Sequence, residues 1–217
     1  MNGVPVPEAS TPHTSTWLPP TRHRRILGSV TAGRTTYFET PRLRARAFTD
    51  ADVDPFVAYR ADPDVARYQS WADYTRAQGE ALVAEMQGLT PGTPGRWLQL
   101  ALADKDDDAL VGDLAFKVDA DEPREAEVGF TLAPAHQGRG LASEALGGLL
   151  DWAFATFGLH RVVAITDALN APAAALLERA GLRREAHFVE NVFFKGAWGS
   201  ELLFAVLARE WWSSSGP

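Results

Sequence analysis

Gln137-Gly138-Arg139-Gly140-Leu141-Ala142 is a glycine-punctuated segment between an apolar strand pattern and an amphipathic helix pattern. Glycines let successive backbone N–H groups converge without Cβ obstruction, and here they do so at a helix N-terminus. That combination suits an anion, above all a phosphate or pyrophosphate. A rival chemistry is dinucleotide binding, with Gly138 and Gly140 opening a Rossmann unit and Asp167, at the end of the next strand, holding a ribose. Three features weigh against it. Ser143 stands where the third glycine would be, the five residues Ala133 to Gln137 separate strand from first glycine, and the chain after Asp167 is too short for a doubly wound sheet. Other chemistries find no support. The chain has no cysteine, which excludes disulfides, thiolate catalysis and cysteine metal sites. Its five histidines, His13, His23, His136, His160 and His187, show no ligand spacing, so no metal is expected.

The elements that must hold this turn are legible on both sides of it. Glu127 to Leu132 alternates with period two at Val128, Phe130 and Leu132, the mark of a half-buried strand, and Pro134 ends it. From Leu141, apolar residues at Ala145, Leu146, Leu149, Leu150, Ala153 and Phe154 keep helical spacing, and Gly158 is placed to stop the helix. Arg161 to Thr166 is an apolar β-branched run suited to a buried strand. Pro172 opens a further helix, which Gly181 closes. Upstream, Tyr37 to Arg46 reads as a strand, followed by Thr49 or Asp52 as a helix cap. Asp62-Pro63 opens a second helix, Asp64 to Tyr68, and Thr75 with Gln78 forms a capping box for a third, ending near Gln87. Arg96 to Ala103 and Leu110 to Val118 form a hairpin around the acidic turn Asp104 to Asp108. Two strands, around Arg183 to Val189 and Glu201 to Leu207, finish the domain. This order points to an α/β (α+β) fold, a mixed sheet flanked by helices.

A chain of 217 residues has length for one domain with a full core. The net charge of −7 argues against nucleic-acid binding and favours a cationic or amine-bearing partner. No apolar run approaches the ~20 residues of a membrane span, and the N-terminus lacks the apolar core of a secretory signal, so a cytoplasmic protein is expected. Residues 1–35, rich in Pro, Ser, Thr and Gly, are expected to be a disordered extension; Arg22-His23-Arg24-Arg25 within them reads as a solvated tail rather than an acidic-partner site. The folded domain is expected over 36–212, with 213–217 a polar tail.

Gln137-x-x-Gly140-x-Ala142 matches the Q/R-x-x-G-x-G/A signature of the GNAT N-acetyltransferases, whose acetyl-coenzyme A pyrophosphate site is this strand–turn–helix. Glu39-Thr40-Pro41-Arg42-Leu43-Arg44, Phe48-Thr49-Asp50-Ala51-Asp52 and Asp62-Pro63-Asp64-Val65-Ala66-Arg67-Tyr68 resemble the branch that includes the ribosomal-protein N-terminal acetyltransferases. So do Asn170 followed by Leu176 and Gly181-Leu182, and the closing hairpin Lys195-Gly196-x-Trp198. The resemblance runs from about residue 37 to 212. It implies a GNAT-like, mostly antiparallel central sheet in which Glu127 to Leu132 splays from Arg161 to Thr166, with the pantetheine arm in the gap. By resemblance, Phe130, Thr131 and Leu132 contact the pantetheine, and the N–H groups of Gln137, Gly138, Arg139, Gly140, Leu141 and Ala142 hold the pyrophosphate. The Arg139 side chain pairs with phosphate or faces solvent, and Asn170 is a cofactor-side polar residue or a turn former.

The implied reaction moves an acetyl group from acetyl-coenzyme A to a primary amine of a small molecule or protein N-terminus, by direct attack on the thioester. A backbone N–H of the splayed strand, that of Phe130 or Leu132, would polarise the carbonyl. An ammonium has no lone pair, so a base is needed, and Glu127, or Glu190 with His187, are the candidates. No side-chain acid is visible. Ala173 and Leu177 stand where family members carry Ser and Tyr, and Ser200 and Phe204 replace the usual Asp and Tyr of the closing hairpin. Acceptor recognition falls to Tyr68, Gln69, Trp71 and Tyr74, whose aromatic faces suit a cationic amine, although core packing explains part of the set equally. Two alternatives stand beside this reading, a non-catalytic acyl-coenzyme A-binding module and an NAD(P)-dependent oxidoreductase. A homodimer is left open.

Overall fold

The computed structural model describes residues 30–31 and 34–214. Most of the expected N-terminal extension, its arginine cluster included, and residues 215–217 of the expected tail lie outside the described residues.

Nine strands form one sheet among the described residues. In chain order they are β1 (Val30–Thr31), β2 (Arg34–Glu39), β3 (Leu43–Arg46), β4 (Leu98–Asp104) and β5 (Leu110–Val118), then β6 (Glu125–Leu132), β7 (Arg161–Asp167), β8 (Arg183–Phe194) and β9 (Ala197–Leu207). Their order in space is β1-β2-β3-β4-β5-β6-β7-β9-β8. Every neighbouring pair is antiparallel except β6 and β7, which run parallel. The helices are α1 (Val53–Arg60), α2 (Pro63–Ala66), α3 (Arg76–Gly88), α4 (Leu141–Phe157), α5 (Ala171–Arg179) and α6 (Ala208–Ser214). This is the mixed α/β sheet flanked by helices that the sequence predicts.

The pleat decides which helices cover which face. Asp113 and Phe116 point to opposite sides of β5. Asp113 meets Tyr59 and Arg60 of α1, while Phe116 stacks edge-on against Trp152 of α4, ring centroids 5.2 Å apart. On the α4 face, Leu146, Leu149 and Leu150 are wholly buried, each removing apolar surface worth about 2 kcal/mol. On the α1 face, Phe56 is equally buried, edge-on to Phe48 and Tyr59.

Four elements differ from expectation. Tyr37 to Arg46 is a hairpin rather than one strand, because Pro41 brings no N–H to a ladder and the Thr40 N–H instead closes a turn onto the Leu43 carbonyl at 2.9 Å. The helix opened by Asp62-Pro63 stops at Ala66, where the Gln69 N–H turns back to the Ala66 carbonyl at 2.9 Å. A 3-10 turn, Asp50–Asp52, precedes α1, capped by Thr49, whose N–H donates to the Asp52 carboxylate at 2.7 Å, while Asp52 itself stands at the N-cap of α1. Finally, β8 and β9 extend to Phe194 and back from Ala197, so the closing hairpin is longer than the apolar pattern suggests. The capping box at Thr75 is as expected, with the Thr75 N–H donating to Gln78 Oε1 at 2.8 Å and the Gln78 N–H to Thr75 Oγ1 at 3.3 Å.

Candidate active site

The glycine turn sits between β6 and α4, whose N-cap is Gly140. Gly138 and Gly140 have φ of +71° and +77°, a left-handed backbone open to glycine and costly for other residues. A Cβ on Gly138 would meet nothing within 4 Å, so the backbone there is bare toward the adjoining cavity. Gln137 does not point into space: its amide donates to the Leu132 carbonyl at 3.0 Å and pins the turn to the end of β6.

Glu144, in the first turn of α4, braces the other side. It accepts from Thr40 Oγ1 at 2.6 Å, from the Arg42 N–H at 2.8 Å and from Arg42 Nε at 2.6 Å. Burial would raise the Glu144 carboxyl, but these three donors outweigh it and hold it below the ordinary range.

Between α2, α4 and α5 lies a cavity of about 500 Å³. Phe130, Thr131 and Leu132 border it from β6, and Gln137, Gly138, Gly140, Leu141 and Ala142 from the turn. Asn170 reaches it too while capping α5, its Oδ1 accepting from the Ala173 N–H at 3.2 Å. Arg139 does not line it; its side chain is exposed and its carbonyl accepts from Arg42 Nη1 at 3.0 Å. Tyr68, expected on the acceptor side, borders this cavity, as does Arg179, which no local motif singles out.

The opening beside β6 follows from strand pairing. β6 and β7 are in register only at Glu125–Arg161, Ala126–Val162 and Glu127–Val163. Beyond Glu127 the strands part, so Val128 to Leu132 have no β7 partner.

A second cavity, about 640 Å³, lies on the α1 face of the sheet. It shares Gln69, Phe130 and Thr131 with the first. Trp71 and Trp97 stand at its side, and Asp113, Glu127, Ile165 and Glu201 reach it from the strands. Tyr74 lines neither cavity; it packs edge-on to Trp71 and Phe56 at 6.0 and 5.8 Å.

Glu127 is ion-paired with Lys117 directly across the β5–β6 ladder at 2.7 Å, and the Lys117 ammonium lies 4.3 Å from the Trp97 ring centre. The other base candidates are not brought to it. His187 and Glu190 are exposed on β8 and line neither cavity, and Glu190 occupies an irregular stretch with φ of +48°, its N–H donating to Ser200 Oγ.

The α1 face carries a buried network that sequence reading missed. Asp113, 1% exposed, accepts from Tyr59 Oη at 2.6 Å and Arg60 Nη2 at 2.8 Å. With its amide oriented to satisfy both ends, Gln99 also donates to Asp113 at 3.1 Å. The Arg60 guanidinium sits 4.1 Å from the Trp71 ring and 4.4 Å from that of Phe56. Burial, with the neighbouring Asp113 charge, pushes the Tyr59 hydroxyl far above its usual range. The available signal was a lone carboxylate in the apolar run Leu110 to Val118, a residue almost never fully buried unless paired.

Residues 42–183 match the acetyltransferase (GNAT) domain. The chain belongs to the GNAT acetyltransferase family. It is similar to p20, an uncharacterized N-acetyltransferase of Bacillus licheniformis, at 29% identity over 82% of this chain and 98% of the relative. A GNAT-family acetyltransferase structure from Bacillus anthracis superposes with a TM-score of 0.70 at 26% identity, covering 78% of this chain and 97% of that one. Spermidine N-acetyltransferase of Vibrio cholerae, solved in complex with CoA and spermine, shares the fold with a TM-score of 0.68 at 22% identity, covering 78% of this chain and 98% of that one. This GNAT protein is an acetyl-coenzyme A-dependent N-acetyltransferase. Among the described residues of the acetyltransferase, no group of three or more His, Asp or Glu is placed to hold a metal ion, and no helix is long and apolar enough to cross a membrane.

Proposed function

We propose that the two cavities are the donor and acceptor seats of one amine acetylation, meeting where β6 parts from β7. The observation that carries this reading is that Phe130 and Thr131, on the unpaired stretch of β6, border both. In the donor seat, the bare backbone at Gly138, the left-handed Gly140 and the N-terminus of the 17-residue helix α4 suit the pyrophosphate of coenzyme A. Phe130, Thr131 and Leu132 flank the pantetheine, which pairs with free backbone groups as an added strand would. Arg139 is left to solvent and Asn170 to capping, each beside the donor rather than chelating it.

In the acceptor seat, Glu127 is the base, taking the proton from the amine directly or through water; His187 and Glu190 lie outside both cavities and are set aside. The amine lone pair forms the C–N bond, a backbone N–H of Phe130 or Leu132 holds the oxyanion, and the C–S bond breaks as the carbonyl reforms. The departing thiolate takes its proton from water, since Ala173 lines the donor seat without a hydroxyl and Leu177 is buried. Gln69 and Trp71 contact the acceptor, Tyr68 faces the donor and Tyr74 supports Trp71. The domain is the folded 36–212 unit of the ribosomal-protein-like branch. The acceptor is a primary amine of a small molecule or a protein N-terminus.

The experiment is thermal unfolding with acetyl-coenzyme A, with NADPH as control, followed by thiol release across an amine panel. A ligand at a hundred times its Kd adds ~2.7 kcal/mol. For a domain of this size that is a shift of roughly 5–10 °C. Binding with no thiol release for any amine would favour the non-catalytic module that Ala173 and Leu177 motivate. A shift with NADPH alone would return the turn to a dinucleotide.

A further inference from the structure

The acceptor cavity holds an uncompensated carboxylate. Of the four that line it, Asp113 has Arg60 at 2.8 Å, Glu85 has Arg96 at 2.6 Å and Glu127 has Lys117 at 2.7 Å. The fourth, half-buried Glu201, has no cation within 4 Å among the described residues; its recorded partner is the neutral amide of Asn191, donating at 2.6 Å. A second carboxylate adds to it. Asp167 on β7 lies directly opposite Glu201 on β9, so the two side chains share a face of the sheet. Like charges placed so are destabilising unless a cation answers them. Among the described residues Asp167 likewise has no ion pair; it accepts from the Leu169 N–H at 2.7 Å.

The cavity also contains a buried donor without a partner. Arg60 is 3% exposed, and its Nε–H meets no acceptor. A buried donor left unsatisfied is costly and calls for an acceptor, which an ammonium lacks, so this wall suits water or a hydroxyl and any cationic group must be answered elsewhere in the cavity.

Chemistry then narrows the occupant. The nitrogen that attacks a thioester must be uncharged, so it cannot be the group that answers Glu201. A second amine on the same molecule remains an ammonium near neutral pH and can. We propose that Glu201, with Asp167 beside it, seats a distal ammonium of the acceptor, making diamines and longer polycationic amines the preferred acceptor class. This inference rests on the acetyltransferase reading and on the second cavity being its acceptor seat.

The test compares two matched acceptors, 1,4-diaminobutane and n-butylamine, with wild-type enzyme and with Glu201→Gln, which keeps shape and removes charge. Wild type is expected to prefer the diamine by about tenfold or more in kcat/KM, the scale of one hydrogen bond to a charged group. Glu201→Gln should erase most of that preference through the KM for the diamine. An unfolded variant is recognised by its thermal midpoint, and Asp167→Asn then serves as the second variant, expected to lower the preference in the same direction. Wild type that shows no diamine preference, or that turns over other amines but not the diamine, overturns the proposal. So does a preference that survives both substitutions. Failure to bind acetyl-coenzyme A, or absence of thiol release with every amine, sinks the acetyltransferase reading instead.

Discussion

Arg42 Nε lies 2.6 Å from Glu144 Oε2, joining the β2–β3 turn to the first turn of α4. The same guanidinium accepts no freedom at its other end, where Nη1 donates to the Arg139 carbonyl at 3.0 Å. A trans peptide points its C=O and N–H in opposite directions, so tying the Arg139 carbonyl to Arg42 aims the Gly140 N–H away from it. The pair thus fixes the orientation of the glycine turn, the pyrophosphate site proposed above.

Glu144→Gln is therefore expected to weaken acetyl-coenzyme A binding by about tenfold or less while costing stability only about 0.5–1 kcal/mol, because Arg42 is half exposed. Calorimetric titration and denaturant melts of the same variant separate the two effects. Unaltered affinity would show that the turn holds its shape alone.

Acid should unfold the domain partly through Asp52 and Glu144. Burial would raise both carboxyls, but Arg46 and Thr49 at Asp52, and Thr40 and Arg42 at Glu144, bring them below their ordinary values of 3.8 and 4.5. A depressed folded value gives stability that is complete above the unfolded value and lost as pH falls through the folded one. Thermal midpoints are expected to drop below about pH 4.5, and Asp52→Asn, less stable at neutral pH, should show a shallower drop. Parallel pH curves for the two proteins would remove Asp52 from the account.

The Arg60–Asp113 pair is buried on both sides, with side chains 4% and 2% exposed. Asp113→Ala strands a buried guanidinium and the Tyr59 hydroxyl, at a cost of about 3–5 kcal/mol in urea melts. Replacing both partners, as Arg60→Met with Asp113→Leu, should recover most of that loss. A double variant as unstable as the single one would mean that packing, not the uncompensated charge, dominates.

Gly129 lines the second cavity, the proposed acceptor seat, and a Cβ there would sit 3.4 Å from that of Ala115, an ordinary contact. Gly129→Val should fold, fill part of the acceptor seat and raise the amine KM by about tenfold, with the Kd for acetyl-coenzyme A nearly unchanged. Equal damage to both constants would place the residue in the donor seat.

The glycine turn and the elements that hold it were legible in the sequence because their signals are local. Gly138, Gly140, the apolar stripe of α4 and the Asn170–Pro172 cap each declare a backbone geometry within a few residues. The second cavity was legible only in Gln69, Trp71 and Glu127, because Trp97, Asp113 and Glu201 come from the residue before β4, from β5 and from β9 and are neighbours only through sheet order. The β2–β3 turn was missed for a related reason: alternation runs through Thr40-Pro41-Arg42 unbroken, and only the proline and a long-range partner, Glu144, mark the reversal. His187 and Glu190 were singled out by residue type, and β8, the edge strand of the sheet, leaves both exposed.

Gln69, Phe130 and Thr131 are the shared border of two otherwise separately built cavities. With the proposed donor in one cavity and the acceptor in the other, both substrates fit at once and no acetyl group needs to rest on the protein between them. The enzyme's initial-rate lines, plotted as double reciprocals at several amine concentrations, should then intersect rather than run parallel. Its product coenzyme A should compete with acetyl-coenzyme A and not with the amine.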